Sequence, residues 1–415
     1  MSIEYPSGAL EQPTLRIRPG HPAQPVQPTA SPGQWIHRNL FNTWYNSVLT
    51  VAFTLLIGWV ALKVSRFVFV TGRWEIIRVN LTVVMLGAFP SKEFYRVWIA
   101  VYVLTTTLGL ALGVGRRRTT GRGWRQMRAI LPLLLIVSTL LALTRTITPL
   151  LLTLLALALA SAGWLVGQRL PEVAIPRLWL VWVVAAVGSY AALTAFGGVG
   201  WDEWGGLLLT LALAIGGIAL SFPLGVLLAL GRRSSLPAVR IVCVGYIELI
   251  RGVPLITILF IGAFALGFIL PPTLKPSLVT RALIALIAFT ATYLAEVVRG
   301  GLQSVPKGQT EAAQAVGLSP LHTTLLVVLP QALRNVIPAI VGQFIILFKD
   351  TSLVAVIGLT ELLGITQIIN LQPQFLSQGL QAETFVFASF IYWAFCYSMS
   401  RASQRLEHRL GVGQR

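Results

Sequence analysis

Six ionisable residues lie within or beside long apolar stretches of this sequence, where a charge is costly. They are Glu248, Arg251, Glu296, Arg299, Lys349 and Asp350. Because such residues are rare in membrane segments and often functional, each is a candidate site residue. Glu248 and Arg251 are three residues apart and share one helical face, and Glu296 and Arg299 repeat that spacing. Each pair can neutralise itself as a structural ion pair or offer opposite charges to a solute.

The backbone around the first pair favours a binding site. Gly252 and Pro254 follow this pair in the middle of an apolar stretch, and they predict a break in the regular helix. Loosened backbone near the membrane midplane is where transporters expose polar groups. A binding role and a structural role both stay open for residues 248–254. The second pair borders a predicted cytoplasmic loop, which favours a structural ion pair.

The composition excludes an ordinary soluble protein. Of the 415 residues, 55% are hydrophobic and only 11% are charged, which is typical of a multispanning membrane protein. The 32 basic residues outnumber the 14 acidic ones, but the excess lies in short loops and indicates topology rather than nucleic-acid binding. Cys243 and Cys396 lie in apolar stretches, and the four histidines are scattered. We therefore expect no disulfide, no metal site and no catalytic cluster.

Apolar length predicts an all-α membrane protein with about ten spans, since a helix needs about 20 residues to cross the hydrocarbon core. The predicted spans are residues 41–63, 95–115, 129–146, 148–167, 178–197, 204–230, 239–264, 279–298, 331–350 and 384–401. The third and fourth could instead form one irregular hairpin. Residues 1–40 form a proline-rich tail without the order of a secretory signal, so the first span is expected to stay as an anchor.

The positions of arginine and lysine predict the orientation in the membrane. Basic clusters lie at 116–128, 232–240 and 401–409, and ten spans place them on the cytoplasmic side together with both termini. The segment 351–383 holds Glu361 and Glu383 without a basic residue, so it is expected to be an outer loop.

Residues 64–94 depart from this rule. Ten spans place them outside, yet they carry four basic residues. Their apolar stretch contains Glu75 and Arg78, which makes a lipid-exposed span too costly. We predict an interfacial helix here, anchored by Trp74.

A polar, helix-forming stretch at 311–330 stands between apolar segments. It reads Glu311, Ala312, Ala313, three residues, Gly317, nine residues, Val327, one residue, Leu329 and Pro330. This pattern resembles the EAA loop of the membrane subunits of ABC importers, with Val327 in place of the family's usual isoleucine. In that family the loop forms short coupling helices that dock on a cytoplasmic ATPase. Gly317 suits a turn between two short helices, and Pro330 is expected to start a new helix at the membrane.

Four further segments resemble the permease core of polar amino acid importers, the histidine, glutamine and general L-amino acid branch of the ABC importers. They are GLLLTL (206–211), ELIRGVP (248–254), YLAEVVRG (293–300) and KDTSL (349–353). The resemblance implies a type I permease core at 204–415, with its cytoplasmic EAA loop near 299–330. It also makes 41–203 a set of accessory membrane helices, like those of the longer general permeases.

The resemblance implies an L-amino acid as the substrate of the buried charges. A zwitterion needs one cation and one anion, so Arg251 or Lys349 could hold its carboxylate, and Glu248 or Asp350 its ammonium group. Thr351 lies beside the last of these residues and joins the candidate pathway. Because the segment with Lys349 lies at the outer end of a span, it could instead contact a substrate-delivery protein.

The resemblance also implies a location in the inner membrane and several partner proteins. The sequence has no Gly-x4-Gly-Lys-Ser/Thr phosphate loop, so we expect no cofactor on this chain and ATP hydrolysis by separate ATPase subunits. The expected assembly has two permeases, two ATPases and one extracytoplasmic binding protein, and the second permease is a shorter relative or a copy of this chain. The alternative function is an ion-coupled secondary transporter, which would need no EAA loop and would usually show two related halves. A membrane enzyme has less support, because no nucleophile pattern is present.

Overall fold

The computed structural model describes residues 31–117, 147–269, 271 and 276–410. Throughout this part of the chain the regular elements are helices, and an isolated bridge joins Gly206 to Glu361. The all-α fold class is confirmed. The chain divides into two compact units, Met1–Gly72 and Arg73–Arg415. This division falls well before residue 203, where the sequence predicts that the accessory helices end.

The described part of the first unit, residues 31–72, is a short helix followed by a long one. Helix α1 covers Pro32–Leu40, and helix α2 covers Trp44–Arg66 and continues into a π-helical turn at Phe67–Thr71. The long helix corresponds to the predicted span 41–63. None of its residues is buried, as expected for an apolar helix surrounded by lipid.

The second unit holds the remaining helices. Within its described residues these are α3 Glu75–Val79, α4 Leu81–Leu86, α5 Phe94–Arg117, α6 Ile147–Arg169, α7 Leu178–Thr194, α8 Gly206–Arg232, α9 Pro237–Arg251, α10 Leu255–Phe260, α11 Leu266–Ile269, α12 Leu278–Ser304, α13 Lys307–Ala315, α14 Pro320–His322, α15 Leu329–Asp350, α16 Leu362–Ile369 and α17 Gln381–Leu410. The π-helical segment Ile261–Ala265 joins α10 to α11, and a second one, Thr323–Val328, joins α14 to α15. A 3-10 segment, Thr351–Ile357, extends α15.

The number of spans differs from the prediction. Among the described residues, seven helices are long and apolar enough to cross a membrane, or eight if the bent pair of α9 with α10–α11 is one span. That pair replaces the single predicted span 239–264. Helix α17 includes the predicted span 384–401 but is more polar than these helices, and the predicted span 129–146 lies outside the described residues. The count of ten is therefore not confirmed.

Helices α5 and α6 pack closely through four glycines. Each glycine faces a backbone carbonyl of the other helix: Gly109 that of Ala160, Gly113 that of Trp164, Gly163 that of Thr106 and Gly167 that of Leu110. A Cβ at any of the four would overlap the facing oxygen. Residue numbers rise together along both helices, so the two helices run parallel. A four-residue glycine spacing is typical of membrane helices whose backbones approach closely.

Helices α8, α12 and α15 form the centre of the second unit. Leu209 and Leu213 of α8, Leu286 of α12 and Leu347 of α15 are each at most 1% exposed and belong to one apolar core. Gly217 lies against Leu347, where an added Cβ would be 2.9 Å from the leucine side chain. The small residue therefore brings α8 close to α15. Such tight packing gives a firm base to the site residues on α12 and α15.

The segment 64–94 does not have the predicted form of one interfacial helix. It contains the end of α2, the π turn and the short helices α3 and α4. Four apolar side chains of α3 and α4 are buried and pack with α16 and α17: Ile76, Ile77, Leu81 and Val84. A helix that lies on a membrane would turn its apolar face to lipid, whereas these side chains fill a protein core. We call residues 73–86 the strap, and its depth relative to the membrane stays a prediction.

Candidate functional site

The predicted docking loop folds as a helical hairpin. Gly317 adopts a φ of +85°, and the Leu318 N–H donates to the Ala313 carbonyl at 3.1 Å, which closes the end of α13. Ser319 then caps α14 by accepting a hydrogen bond from the His322 N–H. The predicted turn at Gly317 is confirmed, since a positive φ favours glycine.

The outer surface of this hairpin carries both polar and apolar side chains. Glu311 and Ala312 are exposed, and so are Val316 and Leu321, at 79% and 64%. Ala313 is only 4% exposed, because α13 packs on the π-helical segment that follows the turn. Ala313 thus supports the loop from inside. Sequence reasoning missed Val316 and Leu321, although apolar residues on both sides of a polar turn were a visible signal.

Helix α15 begins at Leu329 with Pro330 in its first turn, as predicted, but no break in the helical path precedes it. The helical path runs from Pro320 through Ile357, and Pro330 lies in the first turn of α15, next to the half-buried Leu329. A first-turn proline is tolerated, and the preceding π-helical segment already has a different hydrogen-bond pattern. The docking loop is therefore continuous with the membrane helix that carries Lys349.

The helix that contains Arg251 is broken where Gly252 and Pro254 predict. Helices α9 and α10 meet at an angle of 105°. The Gly252 N–H still donates to the Glu248 carbonyl at 3.0 Å, but Pro254 has no N–H with which to continue the ladder. The break therefore redirects the chain within the apolar stretch.

Arg251 pairs with Glu296 rather than with Glu248. The Glu296 carboxylate binds Arg299 at 2.8 Å, contacts Arg251 at 3.6 Å and forms a third salt bridge to Arg232 at the end of α8. The predicted pair of Glu296 and Arg299 is confirmed, and the predicted pair of Glu248 and Arg251 is wrong. Arg251 is the last residue of α9, and its side chain extends to α12 instead of lying along α9. Three arginines around one carboxylate thus connect α8, α9 and α12.

Glu248 lies on the exposed face of α9 and forms no salt bridge within the described parts of the chain. Its neighbour Leu249 is also exposed, whereas the Arg251 guanidinium lies 5.3 Å from the centre of the Tyr293 ring. The two members of the predicted pair therefore have different surroundings. One is a free carboxylate, and the other is held against α12.

A cavity of about 210 Å³ lies at the end of α15. Its lining residues come from α15, the 3-10 segment, α16 and α17: Lys349, Ser352, Leu363, Ala388, Ser389 and Tyr392. Lys349 is exposed and takes part in none of the salt bridges between described residues. Asp350 is half-buried, and Thr351 is fully buried with its hydroxyl donating to the Phe348 carbonyl at 2.7 Å. Of the three predicted residues, only Lys349 lines the cavity.

A fully buried carboxylate stands beside this cavity. Glu361 precedes α16 and accepts hydrogen bonds from the backbone N–H groups of Leu363 and Gly364, both at 2.8 Å. Tyr392 on α17 donates to it at 2.9 Å, and the Thr210 hydroxyl on α8 lies 3.4 Å away. One carboxylate therefore links three helices. Burial raises the pKa of Glu361, and the hydrogen bonds from these groups act in the opposite direction.

The segment that holds Glu361 and Glu383, predicted as an outer loop, is not a simple loop. Both are buried, and the segment between them contains α16. A signal for Glu361 was present, because an acidic residue directly before an apolar helical run is typical of a helix N-terminus. The side of the membrane on which 351–383 lies stays a prediction.

Residues 221–412 match the family described as binding-protein-dependent transport system inner membrane component. The inner membrane amino-acid ABC transporter permease protein YhdY of Escherichia coli is 36% identical over 95% of this chain and 97% of its own length. The glutamate/glutamine/aspartate/asparagine transport system permease protein BztC of Rhodobacter capsulatus is 34% identical over 91% of this chain and 93% of its own. Similarity to these two proteins extends over nearly the whole sequence.

Shorter proteins match about half of the chain. The probable glutamine ABC transporter permease protein GlnP of Bacillus subtilis is 42% identical over 50% of this chain and 92% of its own length. The crystal structure of an amino acid ABC transporter with histidines is similar over 49% of this chain and 91% of that chain, at 29% identity and a TM-score of 0.44. The additional length of this chain is thus shared with some relatives and not with others.

Proposed function

Because this chain belongs to the amino-acid ABC transporter permeases, we propose that it forms a translocation pathway for L-amino acids and couples that pathway to a separate ATPase. It is a multi-pass protein of the inner membrane and a transport subunit rather than an enzyme. The coupling proposal rests on the hairpin at 307–322. Its outer surface is exposed, and its chain continues directly into a membrane helix.

Permeases of this kind work with an ATPase and a solute-binding protein. In the proposed assembly of two permeases and two ATPase subunits, an ATPase subunit docks on the hairpin of this chain through Glu311, Ala312, Gly317 and neighbouring residues. The residues Ala313, Leu329 and Pro330 support the shape of the hairpin. ATP binds and is hydrolysed on those subunits, and this chain binds no cofactor. A shorter related permease, or a copy of this chain, completes the pathway. Co-purification with mass identification of every stoichiometric partner tests this composition.

A matched pair of glycine substitutions tests the docking hairpin. Gly317→Ala introduces a side chain at positive φ, a conformation that costs an L-residue about 1–2 kcal/mol. Gly308→Ala places the same methyl group in open space on α13. We expect the first variant to insert normally but to bind less ATPase and to transport more slowly, and the second to match the wild type. Equal behaviour of the two variants contradicts docking at this turn.

ATP-driven uptake into proteoliposomes separates this function from its alternative. Liposomes that hold the complex and internal ATP should accumulate L-amino acids without an ion gradient. Uptake that persists without ATP and stops when the proton gradient collapses would instead indicate a secondary transporter. The family comparison favours the ABC permease.

The proposed pathway involves two groups of residues. Glu248 and Arg251 lie at the break between α9 and α10, and Lys349, Asp350 and Thr351 lie at the end of α15. Lys349 is the proposed partner of the substrate carboxylate, because it is exposed in a cavity that also offers the Ser352 hydroxyl. Lys349→Met should raise the half-saturation concentration for uptake more than Lys349→Arg does. Equal kinetics in both variants would remove this residue from the pathway.

In the proposed orientation both termini and the hairpin are cytoplasmic. The basic loop at 232–240 supports this side by the positive-inside rule. Cysteines at Ser234 and at Ser377, which is exposed in the turn after α16, test it in a background without Cys243 and Cys396. An impermeant thiol reagent added to intact cells should label only the Ser377→Cys variant, and reversed labelling would invert the scheme.

A further inference from the structure

We infer that the strap, residues 73–86, is a positioning element of the permease core that fixes helix α16 and thereby shapes the cavity of Lys349. The inference rests on the proposed function, because it treats this cavity as the solute site. The strap lies outside residues 221–412, so the matched family region does not include it. Three independent sets of contacts join it to the core.

The first set is apolar. Ile76 and Ile77 are fully buried in a cluster with Leu362, Ile365 and Ile369 of α16. These five side chains exclude water and lipid from the interface between the strap and the helix. Helix α16 is only 8 residues long, and it packs on α4 of the strap as well as on α8 and α17.

The second set is polar and lies at the far end of α16. The Asn80 side chain accepts a hydrogen bond from the Gln372 amide at 2.8 Å and donates to the Ile76 carbonyl at 2.9 Å. The Arg73 backbone N–H donates to the buried Glu383 carboxylate at 3.1 Å, and the Arg73 guanidinium donates to the Gln378 carbonyl at 2.5 Å. The strap therefore holds the turn that connects α16 to α17 at several points.

The third set lies at the near end of α16. The Gly205 N–H donates to the Leu86 carbonyl at 3.1 Å, and the Gly206 N–H donates to the Thr360 carbonyl at 2.8 Å. A Cβ on Gly205 would lie only 2.7 Å from the Cα of Gly87. The end of the strap, the start of α8 and the residue before Glu361 thus meet at one junction.

Helix α16 connects the strap to the cavity. Helix α16 contributes Leu363 to the cavity wall, and Glu361, which caps α16, binds the Tyr392 hydroxyl that forms another part of the wall. The strap constrains α16 at both ends and along one side. A change in the strap should therefore alter the fit of the solute without any contact between the strap and the solute.

Substitution of Asn80 in the full-length complex tests this. Asn80→Leu removes the bond to Gln372, and Val79→Leu changes the exposed neighbour as a control. We expect Asn80→Leu to raise the half-saturation concentration by roughly 3- to 30-fold, the range for a lost buried bond that couples two elements. Maximal uptake, basal ATPase activity and complex yield should stay close to those of the control. An unchanged half-saturation concentration, or a loss of maximal uptake alone, overturns the inference.

A cross-link supplies a readout that does not need transport. Cysteines at Asn80 and Gln372, in a background without Cys243 and Cys396, should be joined efficiently by a short cleavable thiol cross-linker. Val79→Cys with Gln372→Cys is the control pair and should react poorly, because Val79 is exposed. Poor reaction of the first pair overturns the inference even if the chain proves not to transport amino acids. If the wild type transports, the complex with the cross-linked cysteines should retain uptake. A loss of uptake that is reversed when the linker is cleaved also overturns the inference.

Discussion

The permease core adds shared carboxylates to the close glycine packing that holds the α5–α6 pair together. In the pair, four glycines bring two backbones into direct contact over about two helical turns. In the core, Glu296 gathers three arginines from three helices, and Glu361 links α8, α16 and α17. Backbone contact permits one arrangement, whereas ion pairs at helix ends can exchange partners as helices shift. We interpret the α5–α6 pair as a fixed brace and the core as the part that moves.

The largest effect is expected at Glu361. Glu361→Leu leaves two backbone N–H groups and the Tyr392 hydroxyl without their acceptor in a buried place, and each such loss costs about 1–3 kcal/mol. Uptake should fall at least about tenfold, and the folded yield in detergent should fall with it. Glu172→Gln, at an exposed carboxylate, is the control and should match the wild type. Normal uptake by Glu361→Leu would show that the core does not depend on this junction.

A smaller effect is expected at Glu296. Glu296→Gln leaves three arginines without their shared counter-charge, so uptake should fall several-fold while membrane insertion continues. Adding Arg232→Gln should restore part of the uptake, because it removes one of the unpaired charges. Glu248→Gln provides the contrast, since Glu248 is exposed on α9. If Glu248→Gln lowers folded yield as much as Glu296→Gln does, the connection through Glu296 is not what stabilises these helices.

The smallest effect on uptake is expected in the brace. Gly113→Ala places a methyl group against the Trp164 carbonyl and should destabilise the α5–α6 pair by about 1–3 kcal/mol. Thermal stability of the purified complex should drop, but uptake per folded complex should not change. Gly188→Ala on α7 adds the same methyl group in open space and should be neutral. A loss of uptake per folded complex in Gly113→Ala would mean that the brace takes part in transport.

Local patterns predicted much of this molecule. Long apolar stretches gave helices close to their observed bounds, Gly252 and Pro254 predicted the break, and Gly317 predicted the turn of the docking hairpin. Each of these features depends on residues a few positions apart. A missing N–H or a positive φ acts on its own helix or turn, so the sequence alone is sufficient.

Contacts between distant residues could not be predicted in the same way. The spacing of Glu248 and Arg251 indicates a pair on one helix, but the choice of Glu296 depends on how α9 is placed against α12. Similarly, Glu75 and Arg78 argue against a lipid-exposed span, yet nothing local shows that the apolar residues between them pack with α16. The strap and Glu361 are features of tertiary packing.

The junction of Gly87 with Gly205 bears on how this chain can vary in length. The strap ends beside Gly87, and the chain returns to it one hydrogen bond away at Gly205, while described residues of the stretch between them, such as Phe89, Leu193 and Trp204, pack in the core. A stretch whose ends meet can be lengthened, shortened or exchanged without moving either end. The start of α8 is therefore held by the strap as well as by the residues in between. Changes in the length of this stretch can therefore accumulate while the start of α8 keeps its contact with the strap.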